Sequence, residues 1–127
     1  MDDTAFHNEQ MAQFVAFAQR LQVLAAAPGG EPLVSAAEAI SEIAAAETPR
    51  IMDEAPFLVA RLLTTAPQLA EQLPRDLLWY LGGDCLHFMP DEEIGTLTRL
   101  DERRREAVAA GIDFNWREER ARALKLQ

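Results

Sequence analysis

The sequence has little cysteine, few serines and no long apolar run. Its one cysteine, Cys85, excludes a disulfide framework within the chain and is typical of a reducing compartment. No uncharged stretch is longer than Leu21 to Gly30, which is far short of the roughly 20 apolar residues that a membrane span needs. The glycines form no GxGxxG or GxxxxGK[ST] motif, and Ser35 and Ser41 form no GxSxG motif. We therefore expect no nucleotide-dependent enzyme, no serine hydrolase, no cofactor and no membrane partner.

Basic residues are also scarce, with 12 Lys and Arg against 21 Asp and Glu and a net charge of -9. Such an acidic surface repels a phosphate backbone, so we expect no nucleic-acid partner. Two basic clusters, 103–105 and 117–125, are interleaved with acidic residues, which predicts solvated helix faces with i,i+4 ion pairs. The start, Met1-Asp2-Asp3, is acidic where a signal peptide is basic, and this favours a cytoplasmic location.

Length and periodicity indicate the fold class. The chain has 127 residues, of which 49% are hydrophobic, and this is enough to bury the core of one globular domain. Apolar residues recur at helical spacing, and no window alternates apolar and polar residues for long. We therefore predict a single all-α domain over residues 1–127, a helical bundle of five or six helices.

Proline, glycine and capping side chains divide the chain into helices. Long helices are expected over about residues 4–27 and 91–110, an alanine-rich helix between 36 and 48, and a short last helix that ends near 126. Each of the five prolines between 49 and 90 is expected to open a short helix, because proline suits a first helical turn and damages a helix interior. The predicted N-caps are Thr4, Ser35, Asp53, Thr65 and Asn115, and the predicted C-cap of the helix 91–110 is Gly111.

Two segments carry most of the large apolar side chains in the second half. In the segment 74–81, residues 77–81 are apolar on every side of the expected helix, which predicts the central element of the core. In the helix 91–110, the side chains expected to face inward are Ile94, Leu97, Leu100 and Val108. Phe114 and Trp116 lie in a short polar turn, where they either anchor the last helix or present an aromatic hot spot to a partner.

Residues 82–91 bring functional residue types close together in sequence, and three interpretations stay open. In the structural one, Cys85 packs as a small hydrophobic residue and His87 hydrogen-bonds a carbonyl or carboxylate group. In the second, Cys85 and His87 bind a metal such as zinc, and Asp84 or Asp91 completes the set. In the third, Cys85 is a nucleophile and His87 is its base. The remaining histidine, His7, lies far away in sequence.

The stretch from Leu73 to Ile94, LPRDLLWYLGGDCLHFMPDEEI, resembles a segment of a small protein family of pseudomonads that has no established function. The similarity continues through residues 100–104 to the turn at Asp113 and Phe114, and so covers roughly the C-terminal half. The resemblance implies a compact bacterial cytoplasmic protein. It assigns no activity and no site residue.

Together these patterns favour a non-enzymatic protein-interaction or regulatory module, with a homodimer as the expected assembly. The interaction module is favoured because the chain is helical and has no recognisable set of catalytic residues. The homodimer is favoured because the helix faces are rich in alanine and symmetric dimers are common. The alternative is a small metal-dependent or thiol-based enzyme centred on the segment Asp84-Cys85-Leu86-His87.

Overall fold

The computed structural model describes residues 1–46 and 48–125, and the residues in these ranges form helices and turns without a strand. The α-helices are α1 (Asp3–Ala26), α2 (Val34–Ala44), α3 (Thr48–Thr65), α4 (Arg75–Leu81), α5 (Asp91–Ala110) and α6 (Trp116–Ala123). Three 3-10 helices cover Glu31–Leu33, Pro67–Gln72 and Gly83–Phe88. The all-α prediction is confirmed. The predicted number of helices is slightly low because 3-10 helices are too short to leave a periodic pattern.

The first two helices begin differently from the prediction. The N-cap of α1 is Asp2, whose carboxylate accepts a hydrogen bond from the backbone N–H of Ala5 at 2.8 Å, and Thr4 lies inside the helix. Ser35 lies within α2 and caps nothing, because a 3-10 turn leads directly into that helix. The carbonyl of Glu31 in this turn accepts from the backbone N–H of Val34, so the start of α2 needs no side-chain cap.

Helix α3 is longer than the proline pattern predicted. Asp53 does not cap it, and Pro56 lies inside it without ending it. A proline in a helix removes one N–H and leaves one carbonyl of the preceding turn unpaired, a cost that buried packing can offset. Ala55 and Val59 on either side of Pro56 are fully buried, so tertiary contacts hold this helix together. Thr65 is its last residue rather than a cap.

The other helix boundaries agree more closely with the prediction. Pro74 and Pro90 stand directly before α4 and α5, and Gly111 ends α5 in the left-handed conformation with φ of +68°. The side chain of Asn115 accepts a hydrogen bond from the backbone N–H of Glu118 and caps α6 as predicted. Helix α6 ends at Ala123, and the predicted end near residue 126 lies outside the described residues.

The core lies where α4 meets the longer helices. Helix α1 packs on α2, α2 packs on α3, and α4 contacts α1, α3 and α5. In α4, Leu77 and Leu78 are fully buried, but Trp79 and Tyr80 are only half-buried, so this helix is not enclosed on every side. Val108, predicted to face inward, is exposed because the last turns of α5 extend beyond the packed part of the bundle. None of the helices in the described part of the chain is both long and apolar enough to span a membrane.

Candidate functional site

The segment between α4 and α5 forms a 3-10 helix that separates its candidate residues. Gly82, with φ of +66°, ends α4 and turns the chain into this helix. Cys85 is fully buried, whereas 79% of the His87 side chain and 73% of the Asp84 side chain are exposed. Asp91 is the exposed first residue of α5. The thiol therefore faces the core while the imidazole and the carboxylates face the surface.

Cys85 is held against α3. Its Sγ donates a hydrogen bond to the carbonyl oxygen of Pro56 at 3.3 Å. Burial, together with the negative charge of Asp84, raises the pKa of the Cys85 thiol to about 11. A thiol with this pKa is almost entirely protonated near neutral pH, and only the thiolate is a good nucleophile or metal ligand. These contacts are those of a buried packing residue.

The histidines do not meet the thiol. His87 approaches Asp84, with 3.8 Å between Nε2 and Oδ1, and His7 hydrogen-bonds the hydroxyl of Tyr80 on another side of the bundle. Across residues 1–46 and 48–125, no three His, Cys, Asp or Glu side chains come together in a group that could hold a metal ion. Cys85, Asp84 and His87 are neighbours in sequence, but Cys85 lies in the core whereas Asp84 and His87 form a pair exposed to solvent.

The exposed residues of this segment form one wall of a surface groove, and α3 forms the other. The groove has a volume of about 330 Å³. Phe57 on α3 lines it with 60% of its surface exposed, and it is the one aromatic residue among the exposed large hydrophobic side chains of the described residues. We call this surface the Phe57 groove, and it is lined by Phe57, Ala60, Arg61, Thr64, Asp84, His87 and Phe88.

A buried carboxylate, which the sequence reasoning missed, connects three helices. Asp76 in α4 is completely buried. Its Oδ2 accepts hydrogen bonds from Gln10 Nε2 at 3.0 Å, Gln13 Nε2 at 3.1 Å and Trp116 Nε1 at 2.9 Å. Its Oδ1 accepts from Arg120 Nη1 at 2.9 Å. Burial alone raises the pKa of Asp76, but the hydrogen bonds and the charge of Arg120 outweigh burial, so the pKa lies below its usual value.

A second buried charge joins the beginning of the chain to α5. Arg104 is 1% exposed and donates hydrogen bonds to Asp101 Oδ1 at 2.9 Å, Asp3 Oδ1 at 2.8 Å and the carbonyl oxygen of Met1 at 2.8 Å. Its guanidinium also lies 4.4 Å from the ring centroid of Phe6, which is a favourable cation–π geometry.

The prediction that both basic clusters are solvated is therefore wrong for Arg104 and Arg120. Arg103, Arg105 and Arg117 are exposed and paired with acidic side chains, although only the pair of Arg105 with Asp101 has the predicted i,i+4 spacing. Arg104 and Arg120 differ from their neighbours because each stands beside a buried carboxylate that requires a cation.

The first residue of α6 is an anchoring residue. Trp116 is 1% exposed, and besides its hydrogen bond to Asp76 its ring packs edge-on against Phe6 with centroids 4.6 Å apart. Phe114 is half-buried, with the guanidinium of Arg103 at 5.7 Å from its ring centroid. Of the two interpretations of this turn, the contacts of Trp116 are those of an anchor. One sequence signal pointed to its partner: Asp76 is a lone acid in a helix predicted to be buried, and such an acid needs donors.

Comparison with known proteins gives one match. Residues 34–127 match a family model described as PA2817-like. The match covers α2 to α6, and so includes both walls of the Phe57 groove as well as Asp76, Arg104 and Trp116. No curated protein and no solved structure matches the chain.

Proposed function

The chain belongs to the PA2817-like family, and within that family we propose that it acts as a non-enzymatic protein-interaction or regulatory module. The observation that carries the proposal is the Phe57 groove, where a large aromatic side chain is left in solvent beside a concave surface. Exposed aromatic residues next to a groove are a recurrent feature of protein-interaction sites.

The composition of the groove supports a protein partner. Aromatic residues and arginine are enriched at the centres of protein interfaces, and this groove contains Phe57, Phe88 and Arg61. Its polar side chains include Asp84 and His87, which are largely exposed. Apolar and polar residues are combined in this way in surfaces that bind other proteins.

The buried polar groups also support this proposal, because their contacts stabilise the fold. Asp76 accepts four hydrogen bonds from neighbouring helices, and Arg104 donates to three oxygen atoms. Arg104 lines a surface cavity, but its guanidinium is held by these contacts and only 1% of the residue is exposed. The alternative function, a thiol-based or metal-dependent enzyme, requires Cys85 to be accessible and His87 to approach it, and the contacts described above favour neither condition.

Two finer parts of the proposal concern assembly and location. We propose that the chain forms a homodimer, since a symmetric dimer is the commonest assembly of a small helical protein. We also propose that it works in the bacterial cytoplasm, where its single buried thiol stays reduced.

Site-specific cross-linking in living cells tests whether a protein binds in the Phe57 groove. A photoreactive phenylalanine analogue is placed at position 57, and in a matched control at position 23, where valine is 71% exposed and far from the groove in sequence. We expect a discrete cross-linked protein species with the analogue at position 57 and none at position 23. Equal cross-linking at both positions, or none at position 57, would show that the groove binds no protein.

A further inference from the structure

We propose that the Phe57 groove is filled by a second copy of this chain, in a two-fold dimer in which Phe57 of each copy enters the groove of the other. In the same arrangement, Arg61 of one copy faces Asp84 of the other. This inference rests on the proposed function, because it names the partner of the surface assigned there.

The first argument is the state of the two charges that line the groove. Arg61 is exposed, and among the described residues it is the one arginine whose guanidinium makes neither a hydrogen bond nor an ion pair. Asp84 approaches only His87, at 3.8 Å, and both side chains are largely solvated. The groove therefore presents a cation and an anion that are both available to a partner.

The second argument is the balance of these charges. The chain carries a net charge of -9, so most of its surface repels another copy. The Phe57 groove differs because Arg61 and Asp84 balance each other within one small surface. A two-fold axis places the same surface opposite itself, so each cation can face the partner's anion. A partner of a single charge would attract one of these groups and repel the other.

The third argument is shape. A surface that pairs with itself needs a protruding group and a matching concavity within the same patch. Phe57 lines the groove with 60% of its surface exposed, and Ala60 and Phe88 supply further apolar surface. The patch therefore contains both an exposed aromatic side chain and a concave apolar surface that can receive the partner's.

The size of the assembly and its dependence on Phe57 are measured first. Sedimentation velocity over a concentration series is run on the wild type, on Phe57→Ala and on Val23→Ala as a matched surface control. We expect a wild-type dimer, a dimer Kd raised at least about tenfold by Phe57→Ala, and no change with Val23→Ala. A wild-type chain that stays monomeric throughout the series, or a Phe57→Ala chain that dimerises like the wild type, would overturn the proposal.

Charge reversal then tests the orientation of the two copies. Arg61→Asp and Asp84→Arg should each weaken the dimer when measured alone, because each places like charges opposite one another. An equimolar mixture of the two variants should recover the dimer, since every contact between the different chains again joins opposite charges. No recovery in the mixture overturns the proposed facing of Arg61 and Asp84. All substituted side chains are exposed, so thermal unfolding midpoints equal to the wild type confirm that each variant is folded.

The outcomes separate the two proposals. If the wild type is monomeric while position 57 cross-links to a different protein in cells, the second-copy inference is wrong and the interaction module stands. If position 57 cross-links to nothing and the chain is monomeric, both are wrong. If Phe57→Ala still forms a dimer, the chain is an interaction protein, but its dimer interface lies outside the Phe57 groove.

Discussion

Replacing Asp76 with asparagine should destabilise the protein more than any other substitution of one carboxylate by its amide. The two side chains have nearly the same shape, so the change isolates the charge and one acceptor oxygen. In the folded protein, Oδ2 accepts three hydrogen bonds and Oδ1 accepts from Arg120. Whichever way the amide of the variant turns, its NH₂ group faces at least one donor. The guanidinium of Arg120 also loses its ion-pair partner.

The expected magnitude follows from burial. Hydrogen bonds to a charged group contribute about 1.5–3 kcal/mol each, and breaking a buried ion pair costs about 3–5 kcal/mol. Arg120 is 21% exposed and water can reach part of it, which reduces the cost. We expect Asp76→Asn to lower the free energy of unfolding by about 3 kcal/mol. For a chain of this length, this corresponds to a fall in Tm on the order of 10 °C.

Urea unfolding followed by tryptophan fluorescence and circular dichroism measures this difference. Asp84→Asn is the matched control, because 73% of its side chain is exposed, and it should change the unfolding free energy by less than about 0.5 kcal/mol. A cost below about 1 kcal/mol for Asp76→Asn would refute the argument, since a carboxylate with four donors would then contribute no more than a surface group.

The same experiment has a defined pH dependence. The folded-state pKa of Asp76 is lowered, so its contribution is fully present above the unfolded-state pKa near 3.9 and is lost as the pH falls through the folded-state value. The difference between wild type and Asp76→Asn should stay constant from about pH 8 to about pH 5 and decrease below about pH 4. A difference that already decreases between about pH 7 and about pH 5 contradicts a lowered pKa.

Three further predictions concern other parts of the fold. The pKa of Cys85 is raised to about 11, so little reactive thiolate is present near neutral pH. The folded protein should therefore react with a disulfide reagent far more slowly than the urea-unfolded chain at the same pH. Equal rates would contradict the burial of this thiol. Arg104→Ala should lower the free energy of unfolding in urea by about 3–5 kcal/mol, and Arg105→Ala by less than about 0.5 kcal/mol, because only Arg104 is buried. Similar losses of unfolding free energy in the two variants would contradict this. Gly30→Ala should lower Tm more than Gly29→Ala. A Cβ at position 30 would lie 2.1 Å from a backbone oxygen, whereas a Cβ at position 29 has nothing within 4 Å and adds only the strain of a left-handed backbone with φ of +83°. The reverse order of melting temperatures would disprove this.

The helical fold could be predicted because its signals are local. The periodicity, the glycine that ends α5 and the Asn115 cap depend on residues within one or two turns of each other. The continuous path of α3 through Pro56 could not be predicted in this way. Its cause is the burial of Ala55 and Val59 against other helices, and such burial is invisible to a pattern read along one segment.

The candidate site shows the same limit more sharply. Cys85 and His87 are two positions apart in sequence, yet one faces the core and the other the solvent, because a 3-10 turn directs adjacent side chains to different sides. The partners of Asp76 lie between 40 and 66 residues away from it. Phe57 lies between the buried residues Ala55 and Val59, and only the packed structure reveals that the bundle leaves its side chain exposed.

The arrangement around Asp76 also determines when this protein can become native during its synthesis. Two of its donors come from α1, which precedes it, and the other two, Trp116 and Arg120, come from α6, which follows it by 40 to 44 residues. Until residue 120 has emerged, the Asp76 carboxylate lacks its ion-pair partner, and burying it is unfavourable. The nascent chain can form helices early, but we expect α4 to dock stably only once α6 is present. A ribosome-bound chain should therefore stay in an open, chaperone-accessible state until α6 has been translated, and premature termination within α6 should yield a product that proteolysis can remove.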